Sequence, residues 1–413
     1  MEYDAKDSRS IMMIETKKQK QYFILGYLIV AGIYFGRYFE YYMTGYNTTL
    51  FAMSYKYGFI SRGLLGSFWL ALDGITPFSL MNYQAVYVFT LIMTIFYLWL
   101  QLYFCLRCLD KVANDHRRTM VQCVLFLLAV VLPMYIGSQM LGRLDLYLYI
   151  LTLLALLLLL EEKWEWLIIP IGIVAMLIHQ GFVFTNANLI LVPMFFVILT
   201  TKSAKKRKKY LWIGILFFVS ISVLFLYFEF FSHSAGMENY EEILMNAKAL
   251  SYDGESYNVS LIHHEILGED VYEAEAVYRA YNRIEFPAAV ALFSPYIFIC
   301  IHYFSLLLKG KKKWELLAYG AIPLGMITIL PEMILKVDYG RYAFGTIFYI
   351  FTMLIFFLAK KDKDIEETME AEKRFIKKWN PIPYSLLVYV LFLIPFWDNL
   401  ISIEVHKLAT WIF

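Results

Sequence analysis

The chain has 413 residues, of which 60% are hydrophobic and 17% charged, against about 45–50% apolar and about 25% charged in a soluble domain. So much apolar surface excludes an ordinary soluble enzyme and points to an all-α, polytopic membrane helix bundle, with residues 1–413 as a single transmembrane domain. The formal charge of +2 is too small to suggest a nucleic-acid partner, because Lys and Arg fall in short clusters between apolar stretches, where topology accounts for them.

Taken in chain order, the segment before Tyr22 carries Asp4, Asp7, Glu15 and the basic group Lys17, Lys18 and Lys20. The apolar stretch that follows outruns a signal-peptide core and lacks a small-residue cleavage pattern, so it reads as a retained first helix. Apolar periodicity predicts spans at 22–38, 83–106, 121–137, 146–160 and 167–178 in the first half. The second half continues at 182–199, 211–231, 286–308, 316–330, 342–358 and 384–396, for about eleven transmembrane helices in all. Basic residues in short connections mark the cytoplasmic side. With Lys17, Lys18 and Lys20 inside, the connections 107–118, 161–166, 202–209, 309–313 and 360–378 also fall inside, which gathers KSAKKRKK, KGKKK and AKKDK on one side. The N-terminus is then cytoplasmic, and the C-terminal tail with Asp398, Glu404 and His406 is extracytoplasmic.

Two outer connections are long. The loop 40–82 contains GLLGSFWLAL, too short to span and read as an interfacial or re-entrant helix. The loop 232–285 is acidic, with helical-looking stretches at 239–250 and 269–283 around an irregular centre at 251–264. A connection of that length is more often functional than idle. The cysteines Cys105, Cys108, Cys123 and Cys300 all lie in or beside apolar segments, which excludes a disulfide framework, and the CxxC spacing of the first two reads as structural. No internal repeat argues for an inverted-repeat transporter.

Ionisable residues at a membrane boundary are costly, so they point to function when they cluster. Arg37 and Glu40, three apart, can share one helical face, or the arginine can simply snorkel. Arg62 lies in YGFISRGLLG among Gly58, Gly63 and Gly66, in a turn able to present it to an anion. Arg143 and Asp145 open the span at 146–160, and Asp338 and Arg341 open the one at 342–358. Each pair is either a local ion pair at a helix start or part of a site. Arg62, Arg143 and Arg341 approach the same face, and guanidinium groups suit bidentate phosphate binding. His179 and Gln180, ahead of Asn186 and Asn188, occupy a tight outer turn where an imidazole can act as a base or bond a sugar hydroxyl. His263, His264 and Glu265 lack zinc-ligand spacing, so no metal site is read there, and acid–base work stays open for them and for Glu332. Tyr41, Tyr42, Tyr46, Tyr55, Tyr57 and Tyr339 lie where rings can stack on sugars. Sequons at Asn47 and Asn258 fall outside and matter only in a eukaryotic host. No P-loop, dinucleotide fingerprint, kinase motif or nucleophile elbow occurs, and no cofactor is expected.

Through the outer arginines Arg62, Arg143 and Arg341, the turn histidine His179 and the long outer loop, the chain resembles bacterial O-antigen or exopolysaccharide polymerases and related polytopic glycosyltransferases. The likeness is architectural and covers the whole chain. It implies a bacterial plasma-membrane protein with membrane lipid and a polyprenyl-phosphate-linked saccharide as partners, alongside other cell-envelope assembly proteins. It also implies that the arginines hold the lipid-linked phosphate while acids or histidine assist sugar transfer. Dolichol-using glycosyltransferases usually place a catalytic Asp soon after the first helix, where this chain has Glu40, and this departure favours a metal-independent, polymerase-like variant. Two other readings stay open. A transporter or flippase needs charges midway across the bundle, and a non-catalytic assembly subunit would leave these residues dispersed.

Overall fold

The computed structural model describes residues 2–39, 41–136, 141–231, 237–259, 261–263, 294, 296–329 and 339–378. Among them the regular elements are all helical. In chain order they are α1 (Glu2–Tyr38), α2 (Gly45–Thr49), α3 (Gly63–Ile75), α4 (Tyr83–Lys111), α5 (Arg117–Ile136), α6 (Asp145–Glu161), α7 (Ile168–Ile178), α8 (Phe182–Thr185), α9 (Ala187–Thr200), α10 (Ala204–Phe230), α11 (Tyr240–Leu250), α12 (Tyr296–Leu308), α13 (Lys313–Ile327), α14 (Tyr339–Ala359) and α15 (Lys363–Lys378).

Local chemistry sets many of the helix ends. The Asn82 side chain caps α4 by accepting from the Ala85 N–H at 3.0 Å, and Ser203 caps α10 by accepting from Lys206 at 3.3 Å. The run DLYLYILTLLALLLLLE makes α6 apolar nearly all round, so it is buried on most faces and packs against α4, α7, α9 and α14. Around this post α1 packs on α5, α5 on α14, α7 on α10, and α10 and α13 on α9. The outward faces are apolar too: Leu25, Leu28, Ile29 and Ile33 on α1, Ile92, Ile95 and Trp99 on α4, and Ile215, Phe218, Val219 and Val223 on α10 are exposed.

Among the described residues two helices, α4 with 29 residues and α10 with 27, are long and apolar enough to cross a membrane. At 1.5 Å per residue each exceeds the ~30 Å hydrocarbon thickness. Other apolar helices are shorter, and α7, with 11 residues, rises only about 16 Å. The expected span at 182–199 is broken at Asn186 into α8 and α9. The buried Asn186 amide donates to Thr152 Oγ1 on α6 at 3.2 Å and accepts from Thr185 Oγ1 at 2.7 Å, so tertiary bonds stabilise a break that apolarity alone does not reveal. The short apolar piece of the first long connection forms α3, and the stretch expected at 239–250 forms α11. The expected span at 384–396 and the stretch at 269–283 lie outside the described residues. All four cysteines are free and buried.

At one end of the bundle, ion pairs join the connections that carry the basic clusters. Arg107 bonds Glu161 at 2.8 Å, Lys206 and Lys360 each bond Glu162 at 2.8 Å, and Lys209 bonds the buried Glu165 at 2.7 Å. Lys20 pairs with Asp110, and Lys311 with Asp364. Partial burial pushes the Glu162 carboxyl upward, but the two lysines outweigh it and hold the group at about 2.

Candidate functional site

The first long connection runs through α2, a single 3-10 turn at Tyr55–Tyr57 and α3. Its fold depends on close backbone approach: a Cβ on Gly66 would stand 1.8 Å from the Met53 carbonyl oxygen, so α3 can lie against residues 51–53 only with glycine there. Arg62 sits at the N-cap of α3 in the left-handed region, with φ 61°. A non-glycine residue in that conformation stores local strain, a common mark of functional turns. The strained turn directs the Arg62 guanidinium back to α2, where Nη1 donates to Tyr46 Oη at 3.1 Å.

Arg143 arrives from the other side. It stands two residues before α6, and its guanidinium carbon lies 4.6 Å from the centre of the same Tyr46 ring, within cation–π range. Asn47 secures this approach by donating to the Leu141 carbonyl at 2.9 Å. Asp145 is buried in the first turn of α6, where the helix dipole favours a carboxylate. Two guanidinium groups from distant parts of the chain thus meet around one phenol ring.

A third element joins through Ser61, whose hydroxyl donates to Gln180 Oε1 at 2.5 Å. Tyr55 Oη donates to the Leu177 carbonyl at 3.2 Å, so the α7–α8 turn is tied to the Arg62 turn at two points. Within that turn His179 Nδ1 accepts from the Gly181 N–H at 3.0 Å. The neutral ring then carries its proton on Nε2, which makes His179 a hydrogen-bond donor in this tautomer.

The second long connection lies against the first. Glu242 on α11 pairs with Lys56 and accepts from Tyr57 Oη at 3.3 Å, while Asn246 donates to Tyr57 Oη at 2.8 Å. The Asn258 N–H donates to Thr49 Oγ1 at 3.0 Å, and a Cβ on Gly45 would collide with the Ser256 carbonyl oxygen at 1.9 Å. Lys56 holds the Glu242 carboxyl below its ordinary range, and hydrogen bonds from Ser256 hold Asp253 at about 2. His263 bonds Tyr240 Oη at 3.0 Å and so fastens the end of this segment to α11.

Of the residues singled out in the sequence, the structure brings Arg62 and Arg143 together at Tyr46, with Asp145 beside Arg143 in the chain. Gln180 and His179 follow through Ser61. Arg37 stands apart, exposed at the end of α1 with its guanidinium 5.2 Å from the Tyr38 ring centre. Glu40, His264, Glu265, Glu332 and Asp338 lie outside the described residues, as does the side chain of Arg341. The sequon residue Asn47 is fully buried, which removes it as an acceptor of glycan. Sequence reasoning missed the central place of Tyr46 and the roles of Ser61, Thr49 and Glu242. Only the positions of Tyr46 and Ser61 beside the arginine-bearing loop hinted at them. An apolar groove of about 460 Å³ along α9, α10 and α13 is lined by none of these arginines. No protein-family model, no curated protein and no solved structure matches this chain.

Proposed function

We propose that the protein is a multi-span bacterial plasma-membrane transferase or polymerase that joins sugar units from a polyprenyl-phosphate-linked donor at the extracytoplasmic face. The observation that carries this reading is the convergence of Arg62 and Arg143 on Tyr46, beneath the packed outer connections. The exposed apolar faces of α1, α4 and α10 support membrane embedding. Ion pairs that join the basic connections at one end, opposite the connections that carry the arginines, support a cytoplasmic N-terminus and an extracytoplasmic C-terminus.

In the proposed reaction the bond between the anomeric carbon and the phosphate oxygen of the donor breaks, and the phosphate keeps the electron pair. Arg62 and Arg143 stabilise that developing charge in a setting of low dielectric. An acceptor hydroxyl forms the new glycosidic bond and gives its proton to a carboxylate, for which Glu40, Glu265 and Glu332 are the proposed bases. His179, donating through Nε2, orients the sugar. Single substitution of Arg62, Arg143 and His179 by Ala should abolish surface glycan at an unchanged protein level. Full glycan in all three variants would sink the reading.

A further inference from the structure

At the end of the bundle where the ion pairs gather, α15 lies across α5, α12 and α14 with Ile365, Thr368, Met369 and Glu372 turned inward. Beneath it is a second cavity of about 220 Å³, lined chiefly by apolar side chains such as Phe126, Ile299, Phe351 and Met369. Among the polar side chains that line it, which include Thr119, Gln122 and Tyr296, two are buried with an open polar atom. Tyr303 and Glu372 are 7% and 6% exposed, and among the described residues Tyr303 Oη and Glu372 Oε1 have no hydrogen-bond partner. The other oxygen of Glu372 is taken by His302 Nδ1 at 2.6 Å, and His302 is itself stacked on Phe375 with ring centres 3.8 Å apart. A buried donor and a buried acceptor left open are each costly, so the arrangement calls for a group that satisfies both.

We propose that this cavity binds a neutral apolar alcohol, whose hydroxyl donates to Glu372 Oε1 and accepts from Tyr303 Oη while its chain fills the space between α5, α12 and α14. The polar lining favours a neutral ligand: one oxygen of Glu372 is already bonded to His302, and Lys373 is engaged by Glu370 at 2.7 Å. Size and lining favour a chain over trapped water. The volume matches about seven waters at ~30 Å³ each, yet each water needs 2–4 polar partners and the walls offer few. The same volume holds an alkyl chain of similar heavy-atom count.

The test uses the full-length protein in phospholipid nanodiscs, with an octan-1-ol analogue that carries a photoactivatable diazirine on its chain. Saturable labelling should map to α5, α12 and α15 and be displaced by excess octan-1-ol but not by octane. Glu372→Gln should weaken the labelling about tenfold, and Tyr303→Phe, which keeps the ring and its packing, about threefold. Labelling spread without saturation over the lipid-facing sides of α1 and α10 would overturn the proposal. Equal displacement by octane, or unchanged labelling in Tyr303→Phe, would overturn it too.

Discussion

Tyr46 accepts a hydrogen bond at its hydroxyl and receives a guanidinium against its ring, so the two contacts can be separated by substitution. Tyr46→Phe deletes the bond from Arg62 and keeps the ring under Arg143, whereas Tyr46→Ala deletes both. A hydrogen bond from a charged donor contributes about 1.5–3 kcal/mol and an exposed cation–π contact about 0.5–1 kcal/mol. Surface glycan formed per unit of protein should therefore fall at least roughly tenfold in Tyr46→Phe and a further roughly threefold in Tyr46→Ala. Wild-type output from Tyr46→Ala would show that the two arginines act without the ring that gathers them. At this scale the arginines were legible in the sequence because charge in an apolar chain is conspicuous. Tyr46 was legible only as one of six tyrosines able to stack on sugars, and its meeting with the arginines was not, since one tyrosine among 33 carries no mark of which cation it will meet. The burial of Asn47 was likewise hidden, because its amide is claimed by Leu141, a partner that only the tertiary fold supplies.

Among elements, α11 is held by a titratable contact. Its Glu242 is held by Lys56 across the two long connections, and its carboxyl lies below the ordinary range because the lysine hydrogen bond favours the charged form. A carboxyl lowered in the folded state contributes stability above its unfolded value near 4.3 and loses it as pH falls through the folded value. Both side chains are substantially exposed, so the contribution is under about 1 kcal/mol. Hydrogen-exchange protection of the α11 amides, corrected for intrinsic rates, should therefore be steady from pH 7 to about pH 5 and decline below about pH 4. Glu242→Gln should show lower protection at pH 7 and little further change with acid. An acid response that persists in the variant would assign the effect elsewhere. The helix itself was legible, with Glu241 and Glu242 in the first turn and Lys248 in the last, as the dipole favours. Its docking onto Lys56 and Tyr57 was not, because pairing between two distant polar loops leaves no periodicity in either. The break at Asn186 was missed for a related reason: a lone Asn inside an apolar run reads as tolerated until Thr152 on α6 supplies its partner.

For the whole molecule, the proposed orientation and the observed ion pairs bear on each other. Charge alternation placed five connections on one side from sequence alone, and the structure joins those connections through Glu161, Glu162, Glu165, Asp110 and Asp364. The reason lies in the medium: a basic cluster left over from topology needs counter-ions, and acids at neighbouring helix ends supply them at modest cost. The 11-residue α7 rises only about 16 Å, well short of the ~30 Å hydrocarbon thickness, a shortfall that hydropathy windows do not distinguish from a full span. The orientation can be tested in intact cells because the four native cysteines are buried and leave a low background for thiol labelling. Glu255 and Lys205 are both exposed, one in the second long connection and the other at the basic start of α10. A membrane-impermeant maleimide should label Glu255→Cys in intact cells and Lys205→Cys only after permeabilisation. Labelling of Lys205→Cys in intact cells, or failure of Glu255→Cys to label before permeabilisation, would place the arginines on the wrong face for a lipid-linked donor presented outside, and the proposed transfer chemistry would fall with the orientation.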